Sequence, residues 1–571
     1  MAGRPARQAD ELRRIRSEDE FIAAGDKGWW SRAGWVDEHD FALLRHCGRF
    51  ATVSEHADEL CRVYSLDGAA RPGLIAALED LAGRNLLLSD AELCPDAEPE
   101  TDSDITTLSI LTCNRPEALQ RALRSWGAAT ADRQQRLIIA DDGDDARQAK
   151  AGLGMTACWL HRRHRARWLE SLPIDWRGPA AWGLGLSHAD EARMTVGANT
   201  NAVLLATTGE KLASFDDDLC LPVGRAPEWR PDAVCLAGEA DPTQLLIFDD
   251  EDAVDRALVA SRAHPSDLHA AVLGKPVGQW LQKEGTEMSS DLKSSHARAW
   301  ARGGRVRLSM LGLAGDSGMS SPTWYLGLAG QAGERLDANY EVRLTSRQVL
   351  RASDRLRLAS SAFYMSSAVA LDNRALLPPY MPFDRNADGL FGLCVRRICA
   401  DSFTAFLPYA VRHRPPGTRS YRREDLWNII RSPSINESLM AAVGQWEPGP
   451  YCTSAVARCR SLGAAIEGMA QQSVGMFRRW QSEVAVRRDF QRLRWLETLL
   501  EDTAAHRHPD IREGIQRTEA RLAQAGEPFL GPRGQVDYQE TMAAFGRWLQ
   551  LWPELVAQTR SNPLVGEDWV I

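Results

Sequence analysis

The sequence predicts an α/β fold with a parallel sheet flanked by helices, and three observations carry that expectation. Short β-rich stretches, ITTLSILT, RLIIADD, TACWLHR and KLASF, alternate with helix-patterned stretches across about 103–222, the arrangement of strand–helix–strand units. The stretches are largely apolar, as strands covered on both faces are. Acidic clusters then follow two of them directly: Asp141 and Asp142 after one, and Asp216, Asp217 and Asp218 after another. Ligands of such sheets sit beyond the carboxyl ends of the strands, so fold and site are expected to meet there.

Residues 1–95 come first and read as a small helical unit. FALLRHC, VSEHADELCRVY and LIAALEDLAGRNLLL are short amphipathic helices. Leu74, Leu78 and Leu81 keep helical spacing, and Gly83 with Asn85 stops that helix before a short apolar strand. The polar stretch SDAELCPDAEPETDSD reads as a linker. The body spans 103–420. After its first strand, NRPEALQRALRSW is a helix with Pro116 in the first turn and Leu119, Leu123 and Trp126 on one face. RLIIADD and TACWLHR are the next strands, and the helix through NTNAVLLATTG stops at Gly209. KLASF then delivers the aspartates. Residues 421–571 are expected to be mostly helical. Phe477, Trp480, Val484, Leu493, Leu496 and Leu500 fall near helical spacing, the mark of a core- or partner-facing helix.

Composition narrows the classes. The chain has 571 residues, 44 % hydrophobic and 25 % charged, enough for two to four domains of a soluble globular protein. A formal net charge of -9 gives no global attraction for nucleic acid. No apolar run reaches the length of a membrane span, and the charged start MAGRPARQADELRRIRSEDEF lacks a signal core, so a cytoplasmic location is expected. The 11 cysteines show no repeating CxxC pattern; Cys394 and Cys399 have no second pair at zinc spacing and read as reduced thiols. The 19 tryptophans share no fixed spacing and read as core and cleft walls.

The stretch KLASFDDDLCLP raises the chemical question. Two carboxylates ~4 Å apart repel by about 4 kcal/mol at an effective dielectric near 20, so close packing needs a compensating cation. Magnesium and manganese favour oxygen ligands, and magnesium takes one or two carboxylates together with substrate phosphates. A solvated turn without a ligand is the alternative.

SILTCNRPEALQRALRSW followed by LIIADDGDD resembles the opening of family 2 glycosyltransferases, which have the GT-A fold. ANTNAVLLATTGEKLASFDDDL is similar to that family's helix, Gly-Glu and Asp-x-Asp segment, and the match in order and spacing covers about 105–222. The resemblance implies a nucleotide-diphosphate sugar donor, bound at the turn of Thr112, Asn114 and Arg115. Thr112 and Asp142 would contact the base, with Asp141 beside it. Asp216 and Asp218 would hold Mn2+ or Mg2+ and Asp217 would lie nearer the ribose. Such an ion stabilises the charge gathering on a departing diphosphate. LPPYMPFDRNADGLFG resembles the family's acceptor-side stretch, where Ala387 replaces a common glutamate and Asp388 keeps the aspartate that serves as base in inverting members. In LPYAVRHRPPGTRSY, His413 stands where many such enzymes complete the metal shell. The 1–95 unit resembles the winged-helix-like PqqD fold, whose relatives bind leader peptides; a packing or dimerisation unit is the alternative.

Across about 224–355 the resemblance fades, and this stretch reads as an insertion shaping an acceptor cleft, with Trp324 and Tyr325 available for stacking. Its Gly315-Asp316-Ser317-Gly318 imitates a serine-protease nucleophile loop without an accompanying histidine signature. The expected function is therefore metal-dependent, inverting glycosyl transfer to an acceptor the sequence does not name (saccharide, peptide or small molecule). The competing classes are nucleotidyl transfer, for which TCNRPEAL lacks the glycine- and arginine-rich loop, and a non-catalytic binding protein.

Overall fold

The computed structural model describes residues 14–17, 22–23, 29–31, 34–48, 51–89, 104–130, 135–143, 157–187, 194–281, 283, 285–289, 291–292, 296, 299–300, 303–524 and 535–564. Residues 90–103, which include most of the expected linker, lie outside them. The chain is mixed α/β. Among the described residues no helix is long and apolar enough to cross a membrane.

In the N-terminal unit, helices Glu38–Leu44, Val53–Val63 and Arg71–Gly83 accompany an antiparallel sheet of Arg14–Ser17 between Ala51–Thr52 and Leu87–Ser89. Thr52 caps the second helix in a reciprocal pair with Glu55, satisfying two otherwise unpaired amides. Asn85 takes φ +57 just beyond the third helix, the left-handed step that ends it. Leu43, Leu44, Leu60, Leu78, Leu81 and Leu87 form a core drawn, among the described residues, from this unit alone.

The body is built on one large mixed sheet. Strands Ala157–His161, Arg136–Asp141, Thr107–Thr112 and Lys211–Asp216 lie side by side in that order, all parallel. The order reverses at Thr107–Thr112, so its carboxyl end is a topological switch point, where ligands of such sheets collect. Register levels the strand ends: Thr112 faces Asp141, Asp141 faces His161, and Asp216 faces Leu111. Beyond Lys211–Asp216 the sheet turns mixed. Ala368–Asp372 runs antiparallel to it, Arg305–Asp316 antiparallel to that, and Ser402–His413 parallel to Arg305–Asp316.

Within the 224–355 stretch, Arg305–Asp316, almost entirely buried, is an inner strand of the sheet, and Arg230–Ala237 extends it further. Residues 421–571 are largely helical as expected, but helices Ala455–Ala470 and Gln535–Thr559 share the core of the body. The Trp548 ring packs where a side chain on Gly183 would stand, and Trp552 Nε1 donates to the Leu377 carbonyl at 2.7 Å.

Trp548 is wholly buried. Trp548→Ala should therefore cost about 3–5 kcal/mol of stability, as large-to-small core changes do, measured by urea unfolding of the whole chain. A chain beginning at residue 104 should melt within a few degrees of the full protein, because the N-terminal core is its own.

Candidate functional site

The three aspartates occupy a tight turn between Lys211–Asp216 and the next strand, Leu219–Arg225. Asp217 turns back to the first strand, accepting from the Thr112 hydroxyl at 2.7 Å and from Arg115 at 3.2 Å. Arg115 also reaches Asp218 at 3.3 Å. Asp218 faces His413, whose Nε2 lies 3.4 Å from Asp218 Oδ1, because Leu219 pairs with His413 across the antiparallel ladder. That buried oxygen makes no hydrogen bond among the described residues.

The electrostatics separate the three. Loss of water, with Asp218 adding to it, pushes the Asp216 carboxyl up to about 7 against the opposing Ser367 hydroxyl and His413. Burial also raises Asp217, opposed by Thr112 and Arg115. Burial would raise Asp218 too, but His413 and then Arg115 outweigh it and hold it below the usual carboxylate range. His413 moves up in turn: burial pulls it down, and Asp218 with the Asp316 carbonyl more than compensates.

Helix Val196–Ala206 bridges the strand ends. Asn199 Nδ2 donates to the Ala140 carbonyl at 2.7 Å and the Thr112 carbonyl at 3.3 Å. Its Oδ1 accepts from Arg165, which also meets Asp142 at 2.8 Å in a fully buried ion pair. Asp142, expected at the base, thus has an interior partner for one oxygen; its other oxygen has none among the described residues. Asp141 accepts from the Gly143 amide at 2.8 Å, and burial raises its carboxyl. Asn114 takes φ +53, turning the chain between strand and helix.

Asp388 opens helix Ala387–Ile398. Burial raises its carboxyl, opposed by the amides of Gly389, Asp388 and Ser366. The neighbouring Ser367 presents its hydroxyl to Asp216, and its carbonyl accepts the Asp216 amide at 3.0 Å. Two consecutive serines thus tie Asp388 to Asp216. Both carboxylates also raise the buried pair Tyr364 and Tyr380, after burial itself, and the two phenols are 2.8 Å apart. The turn before Asp388 is fixed from three sides. Asn436 Nδ2 donates to the Phe383 and Arg385 carbonyls at 3.1 and 2.8 Å, and Asn201 exchanges bonds with the Tyr380 backbone. Gly197 approaches so closely that a Cβ there would stand 1.9 Å from the Met381 carbonyl oxygen.

The fold brings Thr112, Arg115, Asp217, Asp218 and His413 into contact, sets Asp216 beside them and links it to Asp388. Among the described residues, no three His, Cys, Asp or Glu side chains already converge as a cation cage. Tyr325 corrects the stacking expectation: it is completely buried and its hydroxyl donates to the Ser346 carbonyl at 3.2 Å, whereas Trp324 is exposed against Trp495. Ser366, Ser367, Asn199, Asn201 and Arg165 went unremarked in the sequence. For the asparagines a signal existed, since two amides inside the apolar helix VGANTNAVLLA must find partners.

With its folded value near 7 and an ordinary value of 3.8, Asp216 keeps a proton in the native chain that the unfolded chain has lost. Stability from this group is complete below about 4 and is lost as pH rises through 7. In chelator, Asp216→Asn should flatten that fall and exceed the parent in stability at pH 8, read by thermal melts across pH 4–8.

No protein-family model, curated protein or solved structure matches the chain, so its own residues and their geometry carry the functional reading.

Proposed function

We propose that the chain is a metal-dependent glycosyltransferase that moves a sugar from a nucleotide-diphosphate donor to an acceptor with inversion. The observation that carries this reading is the bridge between Asp216 and Asp388 by adjacent serines. It joins two carboxylates that burial pushes upward, one at the end of the strand beside the switch-point strand and one at a helix start. Strongly perturbed carboxylates cluster at functional sites.

A divalent cation suits the donor side. Asp218 adds to the cost of ionising Asp216, Asp218 Oδ1 is buried without a hydrogen bond among the described residues, and imidazole and carboxylate are both manganese ligands. Asp216, Asp218 and His413 would hold Mn2+ or Mg2+, which supplies charge stabilisation for a departing diphosphate. Arg115, half-exposed between Asp217 and Asp218, adds positive charge at the same mouth. Thr112 fixes Asp217 and leaves Asp217's position set for a ribose. Asp388 takes the acceptor's proton, and its raised carboxyl makes it a stronger base than a solvated aspartate.

Manganese should raise the melting temperature chiefly when a nucleoside diphosphate is present, by the equivalent of about 2.7 kcal/mol at 100 times the dissociation constant. Asp218→Ala should abolish that joint effect; an unchanged shift removes the metal assignment. Asp388→Asn should lower transfer by about 10²–10⁴-fold while donor and manganese affinities stay near the parent's. Full turnover in Asp388→Asn, measured beside donor calorimetry, would place the base elsewhere.

A further inference from the structure

The Gly-Asp-Ser-Gly turn at 315–318 has no part in the chemistry above, yet it encloses His413. Strand Arg305–Asp316 runs parallel to Ser402–His413 with Gly315 opposite His413. Gly315 has φ +116, and a Cβ there would lie 2.6 Å from the His413 carbonyl oxygen, so glycine is required. Gly318, at φ +68, lies over the ring, its Cβ position 3.7 Å from His413 Cε1.

Between these glycines the Asp316 carbonyl oxygen lies 2.5 Å from His413 Nδ1. A carbonyl only accepts, so Nδ1 carries a hydrogen and donates it, whatever the charge of the ring. That leaves Nε2 facing Asp218. The carbonyl itself is fixed through the rest of its residue. The buried Asp316 carboxylate takes a two-pronged pair from Arg347 at 2.8 and 3.0 Å, a second cation from Arg419 at 3.0 Å, and the Gly318 amide at 2.8 Å. Arg347 also donates to the Met319 carbonyl at 2.8 Å, and its own carbonyl accepts the Ser317 amide at 2.7 Å. One arginine therefore staples both ends of the turn. Planar two-pronged pairing is a geometry that lysine does not reproduce.

We propose that this turn, clamped by Arg347 on Asp316, is the positioning element that locks the His413 ring with Nδ1 as donor and Nε2 alone open to the Asp216 and Asp218 side. Arg347 and Asp316 act through His413 and are positioning residues. The use of Nε2 for a cation rests on the glycosyl-transfer reading; the orientation of the ring does not.

The test uses the full chain labelled with 15N-histidine, read by long-range proton–nitrogen correlation at pH 8, with the His413 signals identified by their loss in His413→Gln. The parent should show a protonated-type Nδ1. Arg347→Lys should show averaged nitrogens, and its manganese affinity by calorimetry should fall about 10–100-fold, the usual effect of removing a group that orients a ligand. Should Arg347→Lys not fold, Arg419→Lys loosens the same carboxylate from a half-exposed side chain and should move both readouts in the same direction. A parent with Nε2–H and bare Nδ1, or nitrogen shifts unmoved in the folded variants, would overturn the lock. If the parent binds no manganese, with or without uridine diphosphate, the transfer reading fails, while the nitrogen shifts still decide the orientation of His413.

Discussion

Neutralising the carboxylates that the sheet delivers to one edge is the constraint on which the rest of the structure depends. Asp141, Asp142, Asp216, Asp217, Asp218 and Asp316 all lie at or just beyond strand ends. Asp142 pairs with Arg165 out of contact with water, and further hydrogen bonds help to offset the desolvation of such a pair. Arg165 therefore also meets the Leu184 carbonyl and Asn199, which fixes where its helix and the neighbouring helix must sit. Asp217 and Asp218 share Arg115, Asp218 adds His413, and Asp316 takes Arg347 and Arg419. Asp216, Asp388 and Asp141 accept no arginine hydrogen bond among the described residues: Asp216 answers to Ser367 and His413, Asp388 and Asp141 to amide donors, and burial raises all three carboxyls.

Mixing strand directions lets so many polar ends meet. In a purely parallel sheet one edge gathers only carboxyl ends. Here Ala368–Asp372 runs the other way, so its amino end, carrying Ser366 and Ser367, arrives beside Asp216. Ser402–His413 is antiparallel to Leu219–Arg225 and parallel to Arg305–Asp316, which brings His413 between Asp218 and the Asp316 carbonyl. Each placement follows from ladder register, where a slip of one residue would turn every side chain to the opposite face.

Local pattern made part of this legible. Strands at 107–112, 136–141, 157–161 and 211–216 announce themselves by apolar runs, two of them with acidic ends, and Pro116 marks the helix start the structure has. Their level register then follows from parallel pairing. The role of RVRLSMLGLAGD was not legible, because an apolar run does not say which strands flank it, and pairing with 368–372 and 402–413 is a long-range event. The same holds for Ser366 and Ser367, two ordinary residues made important by an antiparallel neighbour. Tyr325 was misjudged because adjacent residues of a 3-10 turn, Trp324 and Tyr325, point to opposite environments.

The C-terminal helices hold the segment before Asp388 and are more than an appendage to the sheet. Helix Ile435–Gln445 places Asn436 wholly inside the protein, where its amide holds the two carbonyls just before Asp388. Trp552 bonds to Leu377, a few residues upstream on the same segment, and Tyr380 of that segment stacks on Phe391 with ring centroids 3.9 Å apart. The segment from 377 to 388 is thus held at its start by the last helix, in its middle by Asn201 and at its end by Asn436. A loop fixed at three points on rigid elements holds its carboxylate with the precision a reacting group needs. The carboxylate at the start of helix Ala387–Ile398 therefore owes its position to residues more than forty positions away on both sides, and the 421–571 region belongs to the site it supports.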